Sequence, residues 1–487
     1  MASQDSRERI GDRAIRVPRS AETSSADIPV APRTISVRGL TSPMSLIYGF
    51  LIIDAIGTGL LMLPISSVEP GVANFLTCLF TASTAVTVTG LVTVDTLDHW
   101  TLFGQAVILS LIFVGGLGFM TGAAFLIILV GQELGLQNRL IVREGLGEGQ
   151  LGGITVLVRN IVVFAVALQF VGFIVLWLYW TFVRNVWDGF GFWKSLWLGL
   201  FHGISAFNNA GIEILPDDVV GGGSLNGFSA DYFTLFIFAV LIFAGSTGYV
   251  FWSDIWRKKR FRLLRLDSKL VLIGSVFLFL IGFATYAFGE WGNVATSGGE
   301  NLIQKVSDAT FHSVTTRSSG FSVIDYGEVS SSTDFSTEVL MFIGGVSGTT
   351  GGGIKVNTFM VIVFATFATM TGRSATNIFR SQIPPFTVQR ALVVAAIAAS
   401  IVVFVAYLAL QTQSDLQFRD VFFEVVSAAA TVGLSTGITP DLNAPTQVIV
   451  IVSMFLGRFG PLSLALLMAG RQTNDRFALP TEEVRIG

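Results

Sequence analysis

The sequence predicts an all-α, polytopic membrane protein made of four tandem repeats, with eight transmembrane helices in pseudo-fourfold symmetry around one axis. The first observation is composition: 52% of the residues are hydrophobic, only 13% are charged and the mean hydropathy is +0.68, whereas soluble proteins carry roughly 25% charged residues. The second is that several apolar runs exceed the roughly 18 residues that mark a spanning helix. The third is that four short polar segments, each ending in glycine, interrupt these runs.

These four segments share one pattern, in which a Phe is followed by Ser or Thr residues and then by a glycine. The glycines are Gly90, Gly211, Gly320 and Gly433, spaced at similar intervals along the chain. Each segment is too short to cross a bilayer, and non-helical backbone at membrane depth is tolerated only where it is buried in protein or lines water. We therefore interpret the segments as re-entrant pore loops, so that each repeat is a helix, a pore loop and a helix around a central pore.

The chain accordingly divides into a tail and four repeats. Residues 1–42 are polar, rich in Ser, Arg and Pro and without an apolar core, which indicates a disordered cytoplasmic tail. The repeats are predicted at 43–135, 136–262, 263–375 and 376–487, and the last includes the C-terminal tail. Lys and Arg concentrate in the tail and between the repeats, whereas acidic residues concentrate within them. The positive-inside rule then places both termini in the cytoplasm and the loops on the outside.

A cation that crosses a membrane has to exchange its hydration shell for fixed oxygen atoms. Backbone carbonyl groups can provide them, and glycine permits the dihedral angles that such a lining needs. A short helix in front of the lining would point its negative C-terminal end at the ion. Any one of the segments is more simply a glycine-containing turn, but four in register favour a selectivity filter. Its predicted lining residues are Thr87, Val88, Thr89, Gly90, Asn208, Asn209, Ala210, Gly211, Thr316, Arg317, Ser318, Ser319, Gly320, Thr431, Val432 and Gly433.

Charged and imidazole side chains near the predicted lining require separate interpretations. Arg317 would repel cations if it faced the ion, so we expect it to point backward and to pair with Glu424; an arginine that snorkels to the surface is the alternative. His202 and His312 lie near the starts of the pore helices and lack metal-ligand partners in the sequence. Structural hydrogen bonding is the expectation for both.

The second helix of each repeat also carries a glycine motif. For Gly115 and Gly245, tight helix packing is a sufficient explanation. Residues 344–355 contain too many glycines for a helix, since each costs roughly 1 kcal/mol against Ala, and they predict an unwound gating loop within the membrane. Arg458 lies in the equivalent part of repeat four. A buried cation there predicts either an electrostatic barrier in the ion path or a bond to loop carbonyls. A packing salt bridge is the less favoured interpretation. The predicted gate residues are Gly344, Gly345, Ser347, Gly348, Thr349, Thr350, Gly351, Gly352, Gly353, Lys355 and Arg458.

Five motifs together resemble the Trk/Ktr/HKT superfamily of potassium transporters over roughly residues 43–487. They are Thr-Val-Thr-Gly-Leu at 87–91, Asn-Asn-Ala-Gly at 208–211, Thr-Arg-Ser-Ser-Gly-Phe at 316–321, Gly-Gly-Ile-Lys at 352–355 and Gly-Arg-Phe-Gly-Pro-Leu at 457–462. Within the superfamily the chain is similar to the bacterial KtrB-type, TrkH-like membrane subunit. Residues 346–349 depart from the more usual Ser-Pro-containing segment.

The resemblance implies potassium uptake across the plasma membrane, Na⁺-dependent or Na⁺-stimulated, with K⁺ bound at the filter residues and four filter glycines that go with K⁺ preference. It also implies a homodimer on a cytoplasmic KtrA- or TrkA-like regulatory ring, with nucleotide bound only by that partner. Membrane lipids are further expected partners, and nucleic acid is not. A Trk-type K⁺/H⁺ uptake subunit or a Na⁺-permeable relative remains the alternative.

Two other classes of function fit the sequence less well. An alternating-access transporter for an organic substrate would be expected to have inverted repeats, whereas these repeats run in one orientation. A membrane enzyme would need a catalytic motif, and the sequence has no His-Glu-x-x-His, no nucleophile elbow and no paired intramembrane aspartates. We therefore expect no enzymatic activity.

Overall fold

The computed structural model describes residues 44–468, apart from 70, 118–153, 185–190, 217–223, 347, 350 and 374. It leaves out the side chains of 44–46, 154 and 460–468. The predicted tail at 1–42 and the predicted boundary between repeats one and two lie outside the described residues. All of the described residues belong to one compact unit, Thr41–Gly487.

Apart from one short hairpin, the regular secondary structure of the described residues is helical, which confirms the all-α prediction. Two-residue strands β1 (Asn377–Ile378) and β2 (Ser381–Gln382) form a small antiparallel hairpin. In chain order the helices are α1 (Met44–Leu61), α2 (Phe75–Thr87), α3 (Thr96–His99), α4 (Leu102–Leu117), α5 (Ile154–Phe182), α6 (Phe192–Asn208), α7 (Tyr232–Lys258), α8 (Leu266–Glu290), α9 (Leu302–Thr315), α10 (Ser331–Phe342), α11 (Val356–Met370), α12 (Pro385–Thr412), α13 (Phe418–Ala429) and α14 (Ala444–Met468).

Four helices in the described ranges, α5, α7, α8 and α12, are long and apolar enough to cross a membrane. The predicted second span of repeat three is not one helix, because α10 ends at Phe342 and α11 begins at Val356. The expectation of an unwound segment among these glycines is therefore confirmed. Helix α7 contains a second break, at Gly248 (φ 70°, ψ 167°), which the sequence analysis did not predict.

Four shorter helices, α2, α6, α9 and α13, each end just before one of the four glycines. Their Phe residues, Phe80, Phe201, Phe311 and Phe423, are almost completely buried. Polar side chains start two of these helices: Asn74 accepts a hydrogen bond from the backbone N–H of Leu76, and Asn301 accepts one from Gln304. Such N-caps satisfy backbone donors that the first helical turn leaves free.

The short helices pack in a cycle. Each contacts at least one helix of its own predicted repeat and also a helix of the predicted repeat before it in the cycle. Thus α6 contacts α4, α9 contacts α7, α13 contacts α10, and α2 closes the cycle by contacting α14. This arrangement brings the C-terminal ends of four short helices, which are far apart in sequence, into one region.

Candidate functional site

The four glycines meet in a closed ring. A Cβ atom added to Gly90, Gly211 or Gly320 would lie 2.6 Å from the carbonyl oxygen of the residue before the next glycine in the cycle. A Cβ atom on Gly433 would overlap the carbonyl oxygen of Thr89, which precedes Gly90. The contacts pass from Gly90 to Gly211, then to Gly320, then to Gly433 and back to Gly90. The four residues therefore surround one axis.

Backbone conformation gives a second reason for glycine at these positions. The φ angles of Gly90, Gly211, Gly320 and Gly433 are 105°, 66°, 73° and 90°, in the region that side-chain-bearing residues rarely adopt. The atoms that a Cβ would meet belong to the neighbouring backbone, which cannot rotate away as a flexible side chain can. Any larger residue would therefore have to move the ring itself.

A Ser or Thr hydroxyl from the last turns of each short helix fixes the backbone at or just after the glycine. The hydroxyl oxygen of Thr84 accepts from the N–H of Gly90 at 2.9 Å, and that of Ser427 accepts from Gly433 at 3.0 Å. The hydroxyl of Ser205 donates to the Ile212 carbonyl at 2.6 Å, and that of Thr315 donates to Phe321 at 2.5 Å. None of these four residues was among the predicted filter or gate residues. A hydroxyl near the end of each short helix was the signal in the sequence that could have identified them.

The predicted lining residues of repeats one, two and four share the same turn. The residue two positions before the glycine is left-handed in each, namely Val88, Asn209 and Thr431 with φ of 58°, 59° and 49°. Repeat three differs, because the N–H groups of Ser318 and Ser319 both bond to the carbonyl of Thr315. The predicted lining residues are all buried except Gly211, which is half-buried.

The predicted ion pair between Arg317 and Glu424 is wrong. Glu424 accepts hydrogen bonds from the hydroxyls of Ser435 and Thr439, the latter at 3.0 Å, and no ion pair joins it to Arg317. Arg317 is 6% exposed, and its Nε has no hydrogen-bond partner among the described residues. Hydroxyls of the segment that follows Gly433 satisfy the buried carboxylate locally, so Glu424 fastens this segment to α13.

Both histidines make structural hydrogen bonds, as expected. His202 Nδ1 lies 2.7 Å from the carbonyl oxygen of Leu198, and its Nε2 accepts from the N–H of Ile214 at 3.4 Å. His312 Nδ1 lies 2.9 Å from the hydroxyl of Tyr326. Within the described residues, no group of three or more His, Cys, Asp or Glu side chains could hold a metal ion.

On one side the ring faces a cavity of about 670 Å³. All four glycines line it, together with the acidic residues Asp95, Glu213 and Asp325, and none of the described lining residues is Lys or Arg. A cavity with acidic residues and no basic ones raises the local concentration of cations. We refer to this cavity as the acidic vestibule.

The unwound segment between α10 and α11 packs against the third and fourth loops and against α7 near its break. The N–H of Val346 donates to the carbonyl of Ser246 at 3.0 Å. A Cβ atom on Gly352 would overlap the carbonyl oxygen of Ala430, and one on Gly351 would lie 3.2 Å from Cβ of Ser318. The segment therefore leaves no space for side chains between itself and the third and fourth loops. Of the predicted gate residues, Ser347 and Thr350 lie outside the described part of the chain.

Two cations lie near this segment. Lys355 Nζ donates to the carbonyl of Gly351 and, at 3.4 Å, to that of Gly352, so it closes the segment on itself. Arg458, on α14, donates to the carbonyl of Gly115 on α4. Both cations therefore donate to backbone carbonyl groups.

The glycines of the second helices allow close contact with the short helices. A Cβ atom added to Gly115, Gly245 or Gly457 would overlap the carbonyl oxygen of Val86, Phe207 or Ala429, respectively. Each of these carbonyls lies four residues before a ring glycine. The tight-packing interpretation of Gly115 and Gly245 is therefore confirmed, and it extends to Gly457.

Comparison with known proteins gives a consistent result. The TrkH family model, described as a cation transport protein, matches residues 33–477. The chain is 36% identical over 448 residues to the Ktr system potassium uptake protein B of Bacillus subtilis, covering 92% of this chain and 97% of that protein. It is 32% identical over 458 residues to the potassium/sodium uptake protein NtpJ of Enterococcus hirae, covering 93% and 98%.

The fold is also found among solved structures. The potassium transporter TrkH from Vibrio parahaemolyticus matches with a TM-score of 0.67, covering 89% of this chain and 86% of that one. The sequence identity is 16%, so this match shows a shared fold.

Proposed function

The chain belongs to the TrkH family of cation transport proteins, and on that premise we propose that it takes up potassium across the plasma membrane through a carbonyl-lined selectivity filter. Membership of this family makes it a transporter rather than an enzyme. Relatives that are more than 30% identical over nearly the whole chain are named as potassium uptake proteins. Their names support potassium as the transported ion.

The observation that carries the proposal is the closed ring of Gly90, Gly211, Gly320 and Gly433. Each glycine follows a short helix whose partially negative C-terminal end lies beside the ring. Carbonyl groups of the sixteen predicted lining residues would replace the hydration shell of K⁺. We assign the four loops to four repeats, at 43–135, 136–262, 263–375 and 376–487, with eight membrane-spanning helices in pseudo-fourfold symmetry.

The acidic vestibule would concentrate cations outside, and the membrane potential would drive them inward with about 2.3 kcal/mol per charge per 100 mV. We assign the gate to the segment Gly344–Lys355, together with Arg458, because this segment packs against residues of the third and fourth loops just before their ring glycines. A flexible glycine-rich segment at that place can obstruct the path or withdraw from it. Cytoplasmic termini follow from the distribution of Lys and Arg.

Regulation is proposed from the family resemblance. The membrane subunit would form a homodimer on a cytoplasmic KtrA- or TrkA-like ring, which binds the regulatory nucleotide, and Na⁺ would be required or would stimulate uptake. The relative in Bacillus subtilis is named as part of a Ktr system, which supports a separate partner subunit. The Enterococcus hirae relative is named for potassium and sodium, so Na⁺ permeation is the second candidate.

Complementation of a K⁺-uptake-deficient bacterium, with and without Na⁺, tests the proposal. Gly320 has φ of 73° and is crowded by the Val432 carbonyl, whereas Gly372 has φ of 68° and nothing within 4 Å of an added Cβ. Gly320→Ser should abolish growth at low K⁺ or admit Na⁺, and Gly372→Ser, which carries the same backbone strain, should still support growth. Normal growth and selectivity with Gly320→Ser would refute the filter assignment.

A further inference from the structure

A buried acidic pair lies behind the third short helix, outside the proposed filter and gate. Asp308 on α9 is 0% exposed, and neither of its carboxylate oxygens has a hydrogen-bond partner among the described residues. The carboxyl group of Glu300 is close enough to interact with it electrostatically. The Oε2 atom of Glu300 is also buried and lacks a donor. Two groups that can only accept hydrogen bonds when ionised therefore face each other inside the protein.

Lys305, the basic residue on the same helix as Asp308, forms no ion pair with either carboxyl group. Lys305 Nζ donates to the carbonyl of Trp291 at 2.7 Å and lies 4.9 Å from the centre of its indole ring. The side-chain amide of Gln304 donates to Glu300 Oε1 at 2.8 Å and to the hydroxyl of Ser229, just before α7. These contacts satisfy one oxygen of Glu300, and within the described residues its Oε2 and both oxygens of Asp308 have no donor.

Among the described residues, the other titratable groups around Asp308 donate no hydrogen bond to it. On α8, Glu290 accepts hydrogen bonds from Asn293, Thr296 and the N–H of Ser330. Tyr286, also on α8, is 1% exposed, and its hydroxyl has no hydrogen-bond partner in the described residues. On α9, His312 follows Asp308 by one turn; its ring lies 4.8 Å from that of Tyr286, and its Nδ1 contacts the hydroxyl of Tyr326. None of these groups supplies a positive charge by hydrogen bond or ion pair.

We propose that Asp308 and Glu300 hold one shared proton and so form a proton-binding site, reached from outside through the half-buried Glu300. Two unpaired carboxylates in such a place would cost several kcal/mol, and carboxyl groups that share a site avoid this cost because one of them stays protonated. A metal ion fits less well. Oxygen-bound cations such as Ca²⁺ usually take about six oxygen ligands, and no cluster of three ligating His, Cys, Asp or Glu side chains occurs in the described ranges.

The position of the pair connects it to the third pore loop. Asp308 and Thr315 lie on the same short helix, and Thr315 holds the carbonyl of Phe321 next to Gly320. His312 contacts Tyr326, which lines the vestibule together with Gly320. Loss of the shared proton at high pH would leave two negative charges buried against α9. The proton-bound pair is stable at lower pH and is lost as pH rises, so uptake should decline in alkaline medium.

Infrared spectroscopy of the purified full chain in liposomes tests the site without relying on transport. The wild-type protein should show a protonated-carboxyl C=O band at neutral pH that disappears on alkaline titration, and both Asp308→Asn and Glu300→Gln should lack it. Asp98→Asn, which changes an exposed carboxyl group, should keep it. A wild-type spectrum without this band, or with carboxylate bands that respond to Na⁺ instead of pH, would overturn the proposal.

The second arm measures potassium uptake against external pH, and it rests on the proposed function. Asp308→Asn keeps the shape and removes the charge, so its uptake should persist and lose the alkaline decline of the wild type. An unchanged pH profile in folded Asp308→Asn protein would overturn the link to the loop. If the wild-type protein shows the infrared band but neither it nor any variant transports potassium, the proposed function fails and the proton site stands.

Discussion

The hydroxyl oxygen of Thr84 accepts a hydrogen bond from the backbone N–H of Gly90 at 2.9 Å. Thr84 belongs to the helix that precedes the ring, and Gly90 belongs to the ring itself. Both residues are buried, so this bond fixes the glycine from the helix side with little competition from water. Ser427 and Gly433 repeat the relationship in the fourth loop.

Thr84→Val should weaken ion selectivity, because the isosteric side chain leaves the Gly90 N–H unpaired at a cost of about 1–3 kcal/mol. The ratio of rubidium to sodium uptake into liposomes measures the effect, and it should fall roughly tenfold for each 1.4 kcal/mol. Thr84→Ser keeps the hydroxyl and should have the same rubidium-to-sodium ratio as the wild type. Thr310→Val removes a hydroxyl that bonds only within its own helix, to Val306 at 2.7 Å, and should leave the ratio unchanged. An equal loss in both Val variants would contradict the positioning role of Thr84.

Gly457→Ala should destabilise the protein by about 1–3 kcal/mol, because the new methyl group would overlap the carbonyl oxygen of Ala429 at the end of α13. The thermal unfolding midpoint in detergent measures this change. Gly59→Ala is the matched control, since Gly59 also lies in a helix but has nothing within 4 Å of an added Cβ. The control should be neutral or slightly stabilising. If the two variants have the same midpoint, close packing of α14 on α13 does not contribute to stability.

Lys355→Met should raise potassium flux if the segment between α10 and α11 obstructs the path. The ammonium group bonds to the carbonyls of Gly351 and Gly352, and a charge-assisted bond contributes about 1.5–3 kcal/mol. Its loss should therefore favour the withdrawn segment by roughly tenfold or more. Lys269→Met removes a comparable bond, to the carbonyl of Arg262 at 3.1 Å, away from the ring, and should leave flux unchanged. Liposome flux that stays constant or falls in Lys355→Met would count against the gate.

Local patterns in the sequence were sufficient for some features. The run of glycines at 344–355 predicted a break because each glycine opposes helix formation, and α10 does end at Phe342. The break in α7 at Gly248 could not be predicted in the same way. There a single glycine adopts a non-helical conformation beside Thr349, and this neighbour comes from another repeat.

The predicted ion pair between Arg317 and Glu424 was wrong for a related reason. Charge alone favoured Glu424 as the partner, whereas Glu424 accepts hydrogen bonds from the hydroxyls of Ser435 and Thr439, which are 11 and 15 residues further along the chain. Burial decides such a choice, because a desolvated carboxylate needs donors in good geometry more than it needs a distant opposite charge. Only the tertiary structure shows which donors lie within hydrogen-bond distance of the carboxylate.

The sequence by itself determined the membrane character, the helical class and the four glycine-ended segments, because hydropathy and glycine content act locally along the chain. Tertiary structure alone decided that the four glycines contact one another in a closed cycle, that hydroxyls of the short helices hold them, and that Asp308 faces Glu300 without a donor. Each of these facts depends on distances between atoms that packing brings together. Sequence patterns constrain the conformation of a segment, but they do not specify which buried groups from different segments become neighbours.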